Sequence, residues 1–310
     1  MDRRTAVIIP CHNEALTIAE VVRGFRAALP EAEIFVYDNN STDGTVEAAT
    51  KAGATVRHER HQGKGNVVRR MFADIDADIF VMVDGDGTYD AAAAPMLIER
   101  LCAENLDMVV GARRDSSEDG LYRPGHRIGN RLLTWFAAKI FGSRLRDMLS
   151  GYRVFSRRFV KSFPALSSGF ETETELTIHA LHLRLPIAEV DTDYAARPDG
   201  SDRKLNTWRD GVRILWTIGL LFKEARPFLF FSILAALLAL VSLGLAYPVV
   251  RDFINTGLVP RFPTAILATG VMILAYSSFI CGVVLDSLGR SRLETKRLAY
   301  LRADASDRNR

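Results

Sequence analysis

Three stretches of this chain place carboxylates and small polar residues where an apolar run stops. The stretch "IFVMVDGDGTYD" carries five apolar residues straight into Asp84, Gly85 and Asp86, with Asp90 following. In extended chain, residues two apart point the same way, so the Asp84 and Asp86 carboxylates can address one point beyond the end of a strand. Such a pair, completed by phosphate oxygens and water, suits Mg²⁺ or Mn²⁺. A solvated Asp-Gly turn would be written with the same letters. "YDNNSTDGT" sets Asp38 at the end of a second apolar run and Asp43 ahead of a helical pattern. The short polar side chains between them suit a ribose or a base, and Ser41 or Asp43 can also cap the helix. "IIPCHNE" ends a third run in Pro10, Asn13 and Glu14, and "HQGKGN" holds Lys64 between two glycines before a helix. A lysine there is a fit neighbour for a diphosphate, or part of an ordinary glycine turn. Without the G-x-x-x-x-G-K-[ST] pattern it is not a P-loop.

The elements that must position these residues alternate. Strands are expected at 5–10, 33–38, 54–59, 78–84 and 106–113, and helices at 16–29, 44–53, 65–75 and 94–104. That alternation predicts an α/β domain on a mostly parallel, doubly wound sheet. Right-handed crossovers gather the strand C-termini on one rim, where open α/β sheets bind ligands. The acid-bearing turns all fall on that rim.

The second half adds arginines. Arg113 follows "VVGA" at a strand end, and Arg127 and Arg131 in "YRPGHRIGNR" are spaced i, i+4 on one helical face. Guanidinium forks match phosphate oxygens, so these residues suit a second anion, or else form a solvated basic face. Glu171, Glu173 and Glu175 open a helical pattern where acids suit the dipole, and one of them could also buttress the site. Asp147 in "DMLSGYR" reads equally as a cap or as a functional acid. His12, His61, His179 and His182 lack a paired cysteine or an H-x-x-x-H spacing, which argues against zinc.

Composition bounds the rest. The 310 residues carry 40 Lys and Arg against 37 acids, a net charge of +3, with no basic block in the first 200 residues to suggest nucleic acid. Three scattered cysteines predict a reducing compartment, and "MDRRTAVIIP" has no secretory leader pattern. Uncharged runs at about 228–250 and 262–285 are long enough to cross a bilayer, which predicts a transmembrane hairpin over 227–286. Basic residues flanking it (Lys223, Arg226, Arg290, Arg292, Lys296, Arg297) place both termini on the cytoplasmic side of the cell membrane. The segment 206–226 reads as an interfacial amphipathic helix, as does 131–142, which could equally pack on the sheet; 287–310 reads as a charged cytoplasmic tail.

Taken in order, "IIPCHNE", "DNNSTDGT", "DGDGT", "GAR", "DMLSGYRVF" and "GFETETEL" resemble family 2 glycosyltransferases of the GT-A fold. The chain is most similar there to dolichol-phosphate mannose synthases and bacterial polyprenyl-phosphate glycosyltransferases, over about residues 4 to 205. The resemblance implies a GT-A domain over 1–205 that inverts the sugar as it moves it from a GDP- or UDP-hexose to a polyprenyl phosphate. Pro10, Asn13, Glu14, Asp38, Asp43 and Lys64 would then hold the donor, and Asp84 and Asp86 would bind the metal that bridges its diphosphate. Arg113 and Arg127, with Arg131 as neighbour, would grip the lipid phosphate. Asp147 would orient an arginine or act as a base, and Arg197, Ser201 and Lys204 would line a loop near the site. Asn39 and Thr88 depart from the family's usual Asp and Gln, leaving base preference and a third metal ligand open. Transfer to a hydroxyl of a lipid or glycan, and a silent nucleotide-sugar-binding anchor, are the alternatives.

Overall fold

The computed structural model describes residues 3–114, 145–167, 169, 171–195, 222–223 and 226–307. The first half folds as alternating elements: β1 Thr5–Cys11, α1 Ile18–Ala28, β2 Glu33–Asp38, α2 Thr45–Lys51, β3 Thr55–His58, α3 Lys64–Asp74, β4 Ile79–Met82, α4 Ala94–Ala103 and β5 Met108–Arg113. After the undescribed stretch come β6 Arg153–Ser156, α5 Arg157–Ser162, α6 Thr172–Leu183 and β7 Ile187–Thr192. Two long helices follow, α7 Pro227–Thr256 and α8 Phe262–Asp307.

The strands form one seven-stranded sheet in the order β3-β2-β1-β4-β6-β5-β7. Its central strands are buried on both faces, so "VII" of β1 and "IFVM" of β4 are continuous apolar runs. Ile18, Val21, Val22 and Phe25 recur at helical spacing on α1 and are its buried face. Each such side chain contributes roughly 1.5–3 kcal/mol on leaving water. β1 pairs in parallel with β2 on one side and β4 on the other, so the chain reverses its direction of winding at β1. The crevice beyond the C-termini of β1 and β4 is therefore the topological switch point.

β6 is the departure from an all-parallel reading. It runs antiparallel between β4 and β5, pairing Phe80 with Phe155 and Met108 with Phe155. Two antiparallel pairings in succession leave β5 parallel to β4. Arg113, at the end of β5, thus lies on the same rim as Asp84, and so does the segment Asp147–Tyr152 that enters β6.

The chain divides into two compact units, Met1–Ile214 with Lys296–Arg310, and Leu215–Thr295. In the second, α7 and α8 are apolar and long enough to cross a membrane. They pack where Gly282 meets Phe228 and Phe231, and the Ser242 hydroxyl donates to the Ala268 carbonyl at 2.7 Å. The turn between them is shorter than the uncharged runs imply, because Arg251–Thr256 continue α7 until Gly257 caps it. Likewise the tail expected after 286 is no separate element but the continuation of α8 to Asp307. A helix satisfies its own backbone, so it need not stop where apolar residues give way to charged ones.

Candidate active site at the sheet rim

The loops after β1 and β2 are stitched together by side chains that the sequence singled out. Asn13, at φ 54°, donates its N–H to the Ser41 hydroxyl at 2.9 Å and accepts from the Thr42 N–H at 2.8 Å. The Glu14 N–H donates to Thr45 Oγ1, and the Ala15 N–H to Asp43 Oδ2. Asp43 also accepts from the Thr45 N–H and hydroxyl; desolvation pushes its carboxyl up, but the bonds from Thr45 and Ala15 together outweigh it and hold it below the usual range. Asp38 is buried, accepts from the Ser41 N–H, and lies 3.3 Å from His58 Nδ1. Pro10 precedes this loop, in register with Tyr37 of β2.

Beneath these turns lies Cys11. Burial pushes its thiol well up, and the carboxylates of Glu14, Asp38, Asp84 and Asp86 push the same way. Four acids from the ends of three strands therefore act on one buried sulfur. The Asp84–Thr88 loop is tied to α1 by the Thr17 hydroxyl, which donates to the Gly85 carbonyl at 2.7 Å. Asp86 is buried, and its Oδ1 accepts from both the N–H and the hydroxyl of Thr88, the latter at 2.6 Å. Thr88 therefore orients Asp86, which is a use for the departure at that position. Asn39, the other departure, is buried and donates to the Glu59 and His61 carbonyls while accepting from the Gly63 N–H at 2.7 Å. It fixes the turn that delivers Lys64.

Lys64 Nζ lies 2.5 Å from Asp84 Oδ1 and also donates to Glu173 Oε1 on α6. Burial opposes charge on Lys64, but the carboxylates of Asp84 and Glu173 overrule it and hold the ammonium well above its ordinary value. Burial pushes Asp84 up; the ammonium pulls it down, while Asp86 and Glu173 add to the rise. A Cβ on Gly151 would collide with the Asp84 carboxylate, so the glycine of "SGYR" keeps a cradle open there. Among the described residues no cluster of three or more metal-ligating side chains occurs. Asp84 and Asp86 thus fit a hard cation that takes its remaining ligands from phosphate and water, and do not fit a caged metal.

Arg113 stands on the same rim. Its Nε and Nη2 donate to Asp147 Oδ2 and Oδ1 at 2.7 and 2.8 Å, a bidentate fork, and its guanidinium lies 5.6 Å from the centre of the Tyr194 ring. Asp147 is held from behind by the Glu189 carboxylate, which accepts its N–H. Asp147 thus engages the Arg113 guanidinium through both of its carboxylate oxygens. Tyr194 pairs with Tyr89, and the Ala195 N–H donates to the Thr88 carbonyl at 2.8 Å, bringing the chain beyond β7 to the rim. Arg127, Arg131, Arg197, Ser201 and Lys204 lie outside the described residues. Tyr89 and Tyr194 join the rim without a sequence signal of their own, whereas the sequence marks Asn39 only as a departure from the family's usual Asp and Glu173 as a helix-dipole acid that could also buttress the site.

A sequence profile described as glycosyl transferase family 2 matches residues 6–163. Glycosyltransferase AglJ of Haloferax volcanii is 34% identical over 297 residues, covering 95% of this chain and 97% of that protein. The undecaprenyl-phosphate mannosyltransferase of Micrococcus luteus is 26% identical over 216 residues, covering 64% of this chain and 87% of its own. Among solved structures, glucosyl-3-phosphoglycerate synthase of Mycobacterium tuberculosis, in complex with Mn²⁺, UDP and glucosyl-3-phosphoglycerate, matches with a TM-score of 0.58 at 25% identity, over 71% of this chain and 79% of that one. The seven-stranded sheet and its acid-lined rim are those of a GT-A transferase. The chain belongs to glycosyltransferase family 2.

Proposed function

We propose that this glycosyltransferase moves a hexose from a nucleoside-diphosphate sugar onto a polyprenyl phosphate at the cytoplasmic face of a membrane. The observation that carries this reading is the Arg113–Asp147 fork on the rim that holds Asp84 and Asp86. An arginine fixed by a buried carboxylate is a preorganised anion clamp, and a carboxylate engaged through both oxygens is poorly placed to take a proton. A phosphate monoester needs no such base, because it is already anionic at neutral pH. Its oxygen attacks C1 of the sugar, the bond from C1 to the diphosphate oxygen breaks, and the electron pair leaves with the nucleoside diphosphate. Attack from the opposite face inverts the anomeric centre.

Asp38, Asp43, Asn13 and Glu14 shape the pocket for the nucleoside, with Pro10 leading into it. Asp84 and Asp86 would hold Mg²⁺ or Mn²⁺, which when bound offsets charge on the departing diphosphate. Lys64 lies where it can meet the same diphosphate. Arg113 aligns the acceptor, and Arg127, Arg131, Arg197, Ser201 and Lys204 are proposed to complete the acceptor side and a loop near it. A relative named for undecaprenyl-phosphate mannosyl transfer supports the acceptor, and a structural neighbour crystallised with Mn²⁺ and UDP supports the donor and metal. The two apolar helices supply the anchor that a lipid acceptor demands. On this reading 1–205 is the catalytic domain and 227–286 the anchor; the amphipathic segments expected at 206–226 and 131–142 lie outside the described residues but for 222, 223 and 226.

The test incubates membranes containing the protein with polyprenyl phosphate and a panel of labelled sugar nucleotides. The expected result is label in the organic extract from one donor, abolished by EDTA and by Asp86→Ala. Label that reaches a glycan or lipid only when a hydroxyl acceptor is offered would replace the phosphate reading. Nucleotide binding with no transfer to any acceptor would favour a silent anchor.

A further inference from the structure

Lys64 and Glu173 come from segments 109 residues apart and meet beside Asp84. Both side chains are nearly buried, 10% and 7% exposed. Glu173 lies in the first turn of α6, where a solvated acid would satisfy the helix dipole without any partner. Instead it is turned inward onto an ammonium.

The packing around the pair favours this contact. A Cβ on Gly65 would lie 2.1 Å from the Ser167 carbonyl oxygen and 2.9 Å from Thr172 Oγ1, so the start of α3 touches the chain leading into α6 backbone to backbone. α6 is also held by Arg153, a fully buried arginine whose Nη1 donates to Thr177 Oγ1 at 2.9 Å. The Thr177 hydroxyl donates to the Glu173 carbonyl at 3.0 Å, and Arg153 also grips the Met148 and Ser150 carbonyls of the Asp147–Tyr152 segment. Lysine is a point charge on a flexible four-carbon stem, and one carboxylate leaves it room to swing. Two carboxylates, those of Asp84 and Glu173, hold it between them.

We infer that Glu173 is a positioning residue: it sets the Lys64 ammonium beside Asp84, so that the protein's affinity for a nucleoside diphosphate depends on Glu173 although Glu173 does not touch the nucleotide. This rests on the donor-site reading given above. With Glu173 neutral, the ammonium follows Asp84 alone and loses the position from which it can serve a diphosphate.

The full-length protein in detergent is titrated calorimetrically with UDP, GDP, ADP and dTDP in the presence of Mn²⁺. The wild type is expected to bind one of them. Glu173→Gln and Lys64→Met are each expected to weaken that binding about tenfold or more, and the double variant no further than Lys64→Met, because residues acting as one unit are not additive. A general loss of packing would instead lower the affinity of the two variants additively, with a drop in melting temperature. Should Glu173→Gln not fold, Glu173→Asp takes its place, keeping the charge but drawing it back by one methylene, with the same non-additivity expected. Wild-type affinity in the Glu173 variants, or additive deficits, would overturn the inference and leave the donor reading standing. A wild type that binds no nucleoside diphosphate would overturn both.

Discussion

Asn39 does what an aspartate could not do in its place. Its amide donates to two backbone carbonyls, Glu59 and His61, and its oxygen accepts from Gly63. An Asp there would set a carboxylate against two carbonyl oxygens in a buried position. Asn39→Asp is therefore expected to destabilise the fold by roughly 1–3 kcal/mol, seen as an earlier urea midpoint. Asp147 is the other residue whose type decides its role. Asp147→Asn keeps the shape but removes the charge that holds Arg113, so transfer should fall about tenfold or more through poorer acceptor alignment. In the proposed role Asp147 orients Arg113 and takes no proton, so the acidic limb of the pH–rate profile should survive; its disappearance would favour the base role. Asp84 and Asp86 stand out in the sequence because their spacing in extended chain encodes a shared direction. The contacts of Asn39 and Glu173 are not legible there, because their partners are backbone groups 20 to 24 residues away and a lysine 109 away.

At the scale of elements, the alternation of strand and helix through β5 could be read from apolar runs and turns alone. β6 could not, because a strand of four residues does not encode its direction, and its antiparallel insertion appears only from the pairing. That insertion is what brings "DMLSGYR" to the rim. α6 also carries a buried titratable group. His179 is packed edge-on against Phe159 and Phe163, with Nε2 3.1 Å from the Ser162 hydroxyl. Burial, with smaller contributions from Lys296 and His182, lowers it from 6.5 to about 3. In this window the unfolded chain binds the proton and the folded one does not. The stability that rests on a neutral His179 is whole above pH 6.5 and drains as pH falls toward 3, by at most about 1.4 kcal/mol per pH unit. His179→Phe should flatten that part of the acid-unfolding curve, measured by urea midpoints from pH 7 to pH 4. An unchanged slope would mean that the imidazole charges as easily folded as unfolded.

At the scale of the whole molecule, the sequence located two apolar helices but not the continuity of the second. The end of α8 belongs to the same unit as the sheet. There the Tyr300 hydroxyl donates to Asp107 Oδ2 at 2.9 Å, and Arg158 lies 5.5 Å from the Tyr300 ring centre. Asp107 is fully buried and also bonds Ser156 and Arg158, so Tyr300 completes a network at the rim opposite the candidate site. Tyr300→Phe keeps the ring over Arg158 and deletes the hydroxyl. It should cost about 1 kcal/mol of stability with little loss of transfer activity; a large activity loss at unchanged melting temperature would give the tail a direct part in catalysis.

All three scales bear on one claim, that the sugar is delivered to a phosphate oxygen. The most direct measurement follows the acceptor's phosphorus by ³¹P NMR as purified protein turns over polyprenyl phosphate and its sugar nucleotide. Conversion of the lipid phosphomonoester signal to a phosphodiester, matching the sugar transferred, is the expected result. Sugar appearing on the lipid or a glycan while the monoester signal stays intact would contradict it.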